Sequence, residues 1–237
     1  MHEAPHTATA AFDSDLDFLR FALVCDACGS ERRELGALRH RVEARPYING
    51  LAERIARQLA LPETIAERIR LAALVRDVGK QLLPPELLDK PGPLSDPEWA
   101  EVRRHPELGA GLLGGAAFDD VRGWVIHHHE RWDGRGYPFG LSGGEIPLEA
   151  RVLAVVDAYE AMTSERAYRQ AMEHDRACRE IWAGAGTQFD IAVVAAFRQP
   201  STARPPRFGS RPPPPDQKTG VVPPVRPGAR ERRVVSV

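Results

Sequence analysis

The sequence predicts an all-α fold, a helical bundle, on three observations. Apolar residues recur at intervals of three and four in segment after segment between Leu51 and Phe197. No segment alternates apolar and polar residues, and none gathers β-branched residues between turns, as strands would. Helix-start signals, Pro62 and the Ser95-Asp-Pro-Glu98 capping box, stand just ahead of such periodic runs.

In chain order, residues 1–12 are small and polar and read as frayed. Leu16, Leu19, Leu23 and Val24 suit a short amphipathic helix that ends at Cys25-Asp-Ala-Cys28-Gly29. That C-x-x-C is half a zinc site with no second pair to close it, and reads as a helix end with incidental thiols. His40, in a charged run, reads as solvated. A helix over Leu51–Ala60 places Leu51, Ile55 and Leu59 on one face. The next begins at Pro62, with proline tolerated in the first turn. It directs Ile65, Ile69, Ala72 and Ala73 inward, and the same spacing puts Arg76 on that stripe. Gly79, in Asp77-Val-Gly-Lys80, is expected to stop it. Residues 82–94 form a proline-punctuated connector with one helical turn at Pro85–Leu88. A helix from Asp96 to about His105 follows, with a kink or break at Pro106. Val121–Glu130 is the next helix, broken by the Gly-Arg-Gly-Tyr-Pro turn, and residues 141–147 are a loop. Leu148–Thr163 is a strongly apolar helix (Val152, Val155, Val156, Tyr159, Met162) that contains Asp157. Helices over His174–Ala183 and Ile191–Phe197 complete the set.

From Pro200 the composition changes to proline and arginine with few large apolar residues, which cannot offset the entropy of folding. The chain therefore divides into a short helical segment of unclear role (1–44), a domain (45–198) and a disordered tail (199–237). Residues 201–237 hold eight basic residues against two acidic ones, so the rest is net acidic within a formal charge of −1. A plain extension is the favoured reading of the tail; contact with nucleic acid or an anionic membrane is the weaker alternative. Apolar content of 43% is ordinary, no run reaches transmembrane length, and Met1–Ala11 lacks the pattern of a signal peptide. Three cysteines, the third being Cys178, make no disulfide framework. The expectation is a cytoplasmic protein.

Chemistry concentrates in polar residues that occupy apolar faces or helix ends: Asp77, Lys80, His105, His128, His129 and Asp157. A bundle can gather such side chains in its core. Mixed histidine and aspartate ligands suit Mn, Fe or Zn, and a lysine beside them reads phosphate. The generic reading is metal-assisted hydrolysis of a phosphoester.

These residues also carry a resemblance. His128-His-Glu-Arg-Trp-Asp-Gly-Arg-Gly-Tyr-Pro138 resembles the signature of the HD-GYP family of metal-dependent phosphohydrolases. Leu71–Lys80 resembles its HD step, Lys90–Leu94 the following loop, and His105-Pro-Glu-Leu-Gly109 the next histidine motif. Ile146–Asp157, Glu160–Arg169 and Gly186–Asp190 continue the likeness, which covers roughly residues 45–198. It implies hydrolysis of the bacterial second messenger cyclic di-GMP at a bi- or trinuclear Fe or Mn centre, within bacterial signalling, with diguanylate cyclases among the implied partners. Carried over, Asp77, His105, His128, His129 and Asp157 would bind metal, and Asp77 and Lys80 would serve catalysis. Lys80, Arg166 and Arg169 would meet substrate phosphate, and Gly136, Tyr137 and Pro138 would line the cleft. His127 falls outside the pattern.

Two positions depart from it. Arg76 replaces the histidine of the HD pair. The upstream histidine that follows a Pro-Tyr-x-x-Gly stretch is also missing, since Pro46-Tyr-Ile-Asn-Gly50 leads into Leu51, and an ungapped count from Leu59-Ala-Leu-Pro62 lands on Ala44. A fixed cation at Arg76 repels a divalent ion and is expected to pair with Asp77 or Asp157, leaving a site for one metal. Two readings stay open: a cyclic di-GMP phosphodiesterase with a reduced, mononuclear site, and a catalytically silent module that binds cyclic di-GMP or a partner protein.

Overall fold

The computed structural model describes residues 46–115, 118–165 and 170–198. The predicted helix near residues 13–24, the C-x-x-C, His40, Ala44, Arg166, Arg169 and the tail lie outside them. The described residues form helices and turns, with no strand beyond two isolated bridges.

Helix α1 spans Pro46–Gln58 and α2 Glu63–Val75. Helix α1 starts five residues earlier than its apolar period suggested, with a proline at its first position. Between the two, Leu61 N–H donates to Ala56 O (3.1 Å) and Ala60 N–H to Arg57 O (2.9 Å), closing the orphan carbonyls of α1. Ala60 takes the left-handed conformation (φ 56°) that glycine normally supplies in this motif. After α2 the chain makes a 3-10 turn over Val78–Leu82, the single turn α3 (Pro85–Leu88) and then α4 (Asp96–Val102). The predicted capping box is present: Ser95 N–H donates to Glu98 Oε2 at 2.7 Å, and Lys90 Nζ meets both Glu98 oxygens at 2.7–2.8 Å.

The break near Pro106 is complete. Proline has no N–H to continue α4 and its ring crowds the carbonyl four residues back, so α4 ends at Val102 and a new helix, α5, runs from His105 to Leu112 with Pro106 in its first turn. Helix α6 covers Asp119–His127, three residues shorter at its C-terminus than the sequence suggested, so His129 and Glu130 lie beyond it. Helix α7 spans Leu148–Thr163 as expected, followed by α8 (His174–Ala183) and α9 (Ile191–Arg198).

Helix α7 is the axis of the domain. Every residue from Val152 to Met162 except Ala154 is buried, and α1, α2, α6, α8 and α9 pack around it. An apolar helix buried on all sides takes this central place because none of its faces gains from solvent. One expectation is corrected. Gly79 does not end α2 as a left-handed stop. A Cβ there would lie 2.0 Å from His105 O and 2.4 Å from Gly109 N, so glycine is required because α5 packs directly on the 3-10 turn. That close approach brings Asp77 and Lys80 to the first residue of α5.

Candidate metal centre

Three imidazoles converge from two helix termini. His105 opens α5; His128 and His129 follow the end of α6. The nitrogens they can offer lie within 4.8 Å of one another. His105 Nδ1 is 2.8 Å from Val102 O and His128 Nδ1 is 2.6 Å from Val125 O. A carbonyl only accepts, so both Nδ1 atoms carry the proton and both Nε2 atoms present lone pairs to the cluster. His129 Nε2 is 3.1 Å from His105 Nε2, and His128 Nε2 is buried without a hydrogen-bond partner. A converging set of imidazole nitrogens, one of them orphaned, fits a divalent ion of the transition series. His127 turns away, with Nδ1 2.6 Å from Gly123 O and its ring against Phe139.

Burial pushes all three rings toward the neutral form. It lowers His105 to about 4 against its usual 6.5, lowers His128, and, helped by the neighbouring rings, lowers His129 strongly. Neutral imidazole is the ligand form. Asp77 lies alongside, Oδ1 3.6 Å from His105 Nε2 and 2.6 Å from Lys80 Nζ. Burial works to protonate its carboxyl, but Lys80, Arg76 and the adjacent rings together hold it well below the usual carboxylate range.

Beside the imidazoles lies Arg76, a residue only 4% exposed. Its Nε donates to Asp157 Oδ1 at 3.0 Å, Nη2 to Glu160 Oε2 and Nη1 to Ala73 O, and Nη2 lies 3.6 Å from Asp77 Oδ2. Asp157 therefore faces the guanidinium and stands outside the imidazole cluster. Burial raises the Asp157 carboxyl, but Arg76 outweighs it and keeps the group ionised. A second cation does not fit where this guanidinium lies. Leu51, at one of the two positions for the upstream histidine, is buried in the apolar core.

The turn after His129 forms the adjoining wall. The Tyr137 ring stacks on His129, centres 4.7 Å apart and planes 21° apart, and its hydroxyl is buried without a partner. Burial, then the charges of Asp157 and Asp77, raise the phenol, so it stays a donor. The Tyr137–Pro138 bond is cis. Gly136 allows the chain to fold back, since a Cβ there would lie 2.4 Å from Arg131 N and 2.5 Å from Glu130 Cα.

Two buried carboxylates escaped the sequence reading of the site. Glu160 sits three residues after Asp157, a spacing that puts both on one face of α7 toward Arg76. Glu130 accepts from the N–H groups of Phe139, Gly140 and Leu141 at 2.7–3.1 Å and so fixes the Tyr137 turn.

The family model of the HD domain matches residues 24–193. The chain belongs to the HD-domain family, and its relatives together with the His128–Pro138 segment mark the HD-GYP branch. It is 45% identical over 150 residues to a cyclic di-GMP phosphodiesterase of Pseudomonas aeruginosa, covering 60% of this chain and 35% of that protein. To the cyclic di-GMP phosphodiesterase response regulator RpfG of Xanthomonas campestris it is 40% identical over 159 residues, covering 66% of this chain and 41% of the relative. The HD-GYP chain thus spans less than half the length of these two relatives. Among solved structures, an HDG"Y"P protein from Bdellovibrio bacteriovorus shares the fold, with a TM-score of 0.52 at 15% identity over 77% of this chain and 60% of that one. Among the described residues, no helix of this HD-GYP domain is long and apolar enough to cross a membrane.

Proposed function

We propose that this chain is a metal-dependent phosphodiesterase module for cyclic di-GMP that works with a reduced centre, one metal held by His105, His128 and His129. The observation that carries the reading is the convergence of three neutral imidazoles, two fixed by backbone carbonyls with Nε2 facing inward. Fe or Mn is the expected ion, by family resemblance. When bound, such an ion supplies Lewis-acid polarisation of a phosphoryl oxygen and acidifies water.

The remaining roles fall to the chain itself. Asp77 stays ionised beside the imidazoles and orients Lys80, whose ammonium then meets a phosphate oxygen. The Tyr137 hydroxyl, protonated and unpartnered, donates into the same space. Arg166 and Arg169 are assigned to the substrate phosphates from the family motif, and Gly136 and Pro138 shape the wall that carries Tyr137.

The second reading, a silent module that binds cyclic di-GMP or a partner protein, draws on one observation: Arg76 is buried in an ion-pair cluster with Asp157 and Glu160. Metal content per chain after anaerobic purification, together with hydrolysis of cyclic di-GMP, separates the two. One Fe or Mn per chain with turnover is expected. Retained nucleotide binding with no metal and no turnover would establish the silent module in its place.

A further inference from the structure

Arg103 follows the last residue of α4, two positions before His105, and is exposed. Its guanidinium carbon lies 5.4 Å from the centre of the Tyr137 ring and 5.8 Å from that of Trp99. Tyr137 in turn stacks on His129. A chain of ring contacts therefore leads outward from the imidazole cluster to a cation within about 10 Å of the His129 ring.

The charge balance of the site gives this cation a purpose. The inner cations, Arg76 and Lys80, are both engaged by carboxylates, and Asp77, Asp157 and Glu160 outnumber them. A cyclic dinucleotide carries one negative charge on each of two phosphates, and only one of these can sit at the imidazoles at a time. Arg103 has no ion pair with a carboxylate among the described residues, whereas its neighbour Arg104 pairs with Glu101 at 3.0 Å. Acidic partners are thus close by, yet the Arg103 fork is held on aromatic faces with its N–H edge unspent. Stacking of this kind fixes a guanidinium in advance, which lowers the entropy lost on binding.

We propose that Arg103 is a substrate-binding residue that grips the phosphate of the cyclic dinucleotide which is not undergoing cleavage. The planar fork matches two phosphate oxygens, and its place beyond Tyr137 suits the far side of the macrocycle from the imidazoles. The assignment rests on the cyclic di-GMP reading of the site and adds a second anchor point to it.

Arg103→Met keeps an apolar stem against Trp99 and Tyr137 while removing the charge and fork. Binding of cyclic di-GMP, GMP and Mn to the full chain would be measured by calorimetry for wild type, Arg103→Met and Arg103→Lys. Loss of a charge-assisted contact predicts a Kd for cyclic di-GMP raised about tenfold to a hundredfold in Arg103→Met and less in Arg103→Lys. GMP, with a single phosphate, and Mn should bind as in wild type. An unchanged Kd for cyclic di-GMP overturns the proposal. So does a parallel loss of GMP or Mn binding, which would make Arg103 a prop for Tyr137 and no ligand. Wild-type protein that binds no cyclic di-GMP at all would overturn the parent reading together with this one.

Discussion

Arg76 Nε donates to Asp157 Oδ1 across 3.0 Å, and both side chains are buried. The same guanidinium reaches Glu160 and lies 3.6 Å from Asp77. An arginine is thereby fixed as an internal counter-ion to carboxylates that would otherwise repel one another, and the fold does not depend on a second metal to neutralise them. Removing one partner of a buried charge cluster typically costs about 3–5 kcal/mol, because the others are left unpaired. Arg76→Met should lose stability on that scale in urea unfolding with chelator present. Arg76→His should be destabilised in chelator too, but should recover midpoint with added Mn and bind more metal per chain than wild type. A variant with wild-type stability in chelator would contradict the role given to Arg76.

The three imidazoles make stability depend on pH in a defined direction. His105 titrates at about 4 in the fold against 6.5 when free, so between those values the unfolded chain binds the extra proton. Its contribution is complete above pH 6.5 and fades as pH falls toward 4, by an amount on the order of 3 kcal/mol for a shift of this size. His128 and His129 are lowered as well and act in the same sense. Urea midpoints of the metal-free protein at pH 7, 6 and 5 should therefore decrease steadily. A flat profile would mean that the rings are not buried in the neutral form.

How much of this was legible beforehand follows from how local each signal is. Helix α7 is legible to the residue, because apolar residues recur along its whole length and Pro147 precedes it. His105, His128, His129, Asp77 and Lys80 stood out as polar groups at helix ends, and the fold brings them together. Helical spacing alone places Arg76 inward, and of the two partners expected for it, Asp77 and Asp157, it is Asp157 that takes the hydrogen bond, with Asp77 at 3.6 Å. Glu160 could have been found from Asp157, three residues earlier on the same face of α7 and facing the same arginine, whereas the partners of Glu130 lie in a turn of no regular period. Gly79 was misjudged for a similar reason: its nearest neighbours, His105 and Gly109, belong to another helix.

Glu130 tests whether the Tyr137 turn depends on one carboxylate. Three consecutive N–H groups, from Phe139 to Leu141, point at its two oxygens. Glu130→Gln keeps the shape but replaces an anionic acceptor with a neutral amide, one side of which is a donor facing donors. A loss of about 1.5–3 kcal/mol is expected, the scale of a hydrogen bond to a charged group. Limited proteolysis should show new cleavage within residues 136–141, whereas Mn affinity, set by the imidazoles, should fall less. Cleavage and stability both unchanged would remove Glu130 from this role.

Gly79 tests the contact that assembles the centre. A Cβ at this position meets only backbone, His105 O at 2.0 Å and Gly109 N at 2.4 Å, so no side chain can swing aside to make room. In Gly79→Ala, α5 must move off the 3-10 turn, and His105 moves with it away from Asp77 and Lys80. Overpacking of this kind costs about 1–3 kcal/mol. The distinguishing outcome is a coupled loss, a lower urea midpoint together with weaker Mn binding, because one displacement causes both. Gly109→Ala should be milder, since a Cβ there comes no closer than 3.1 Å to Gly79 N. If the two variants proved equally stable and bound metal alike, the close approach of α5 to the turn would not be what positions His105.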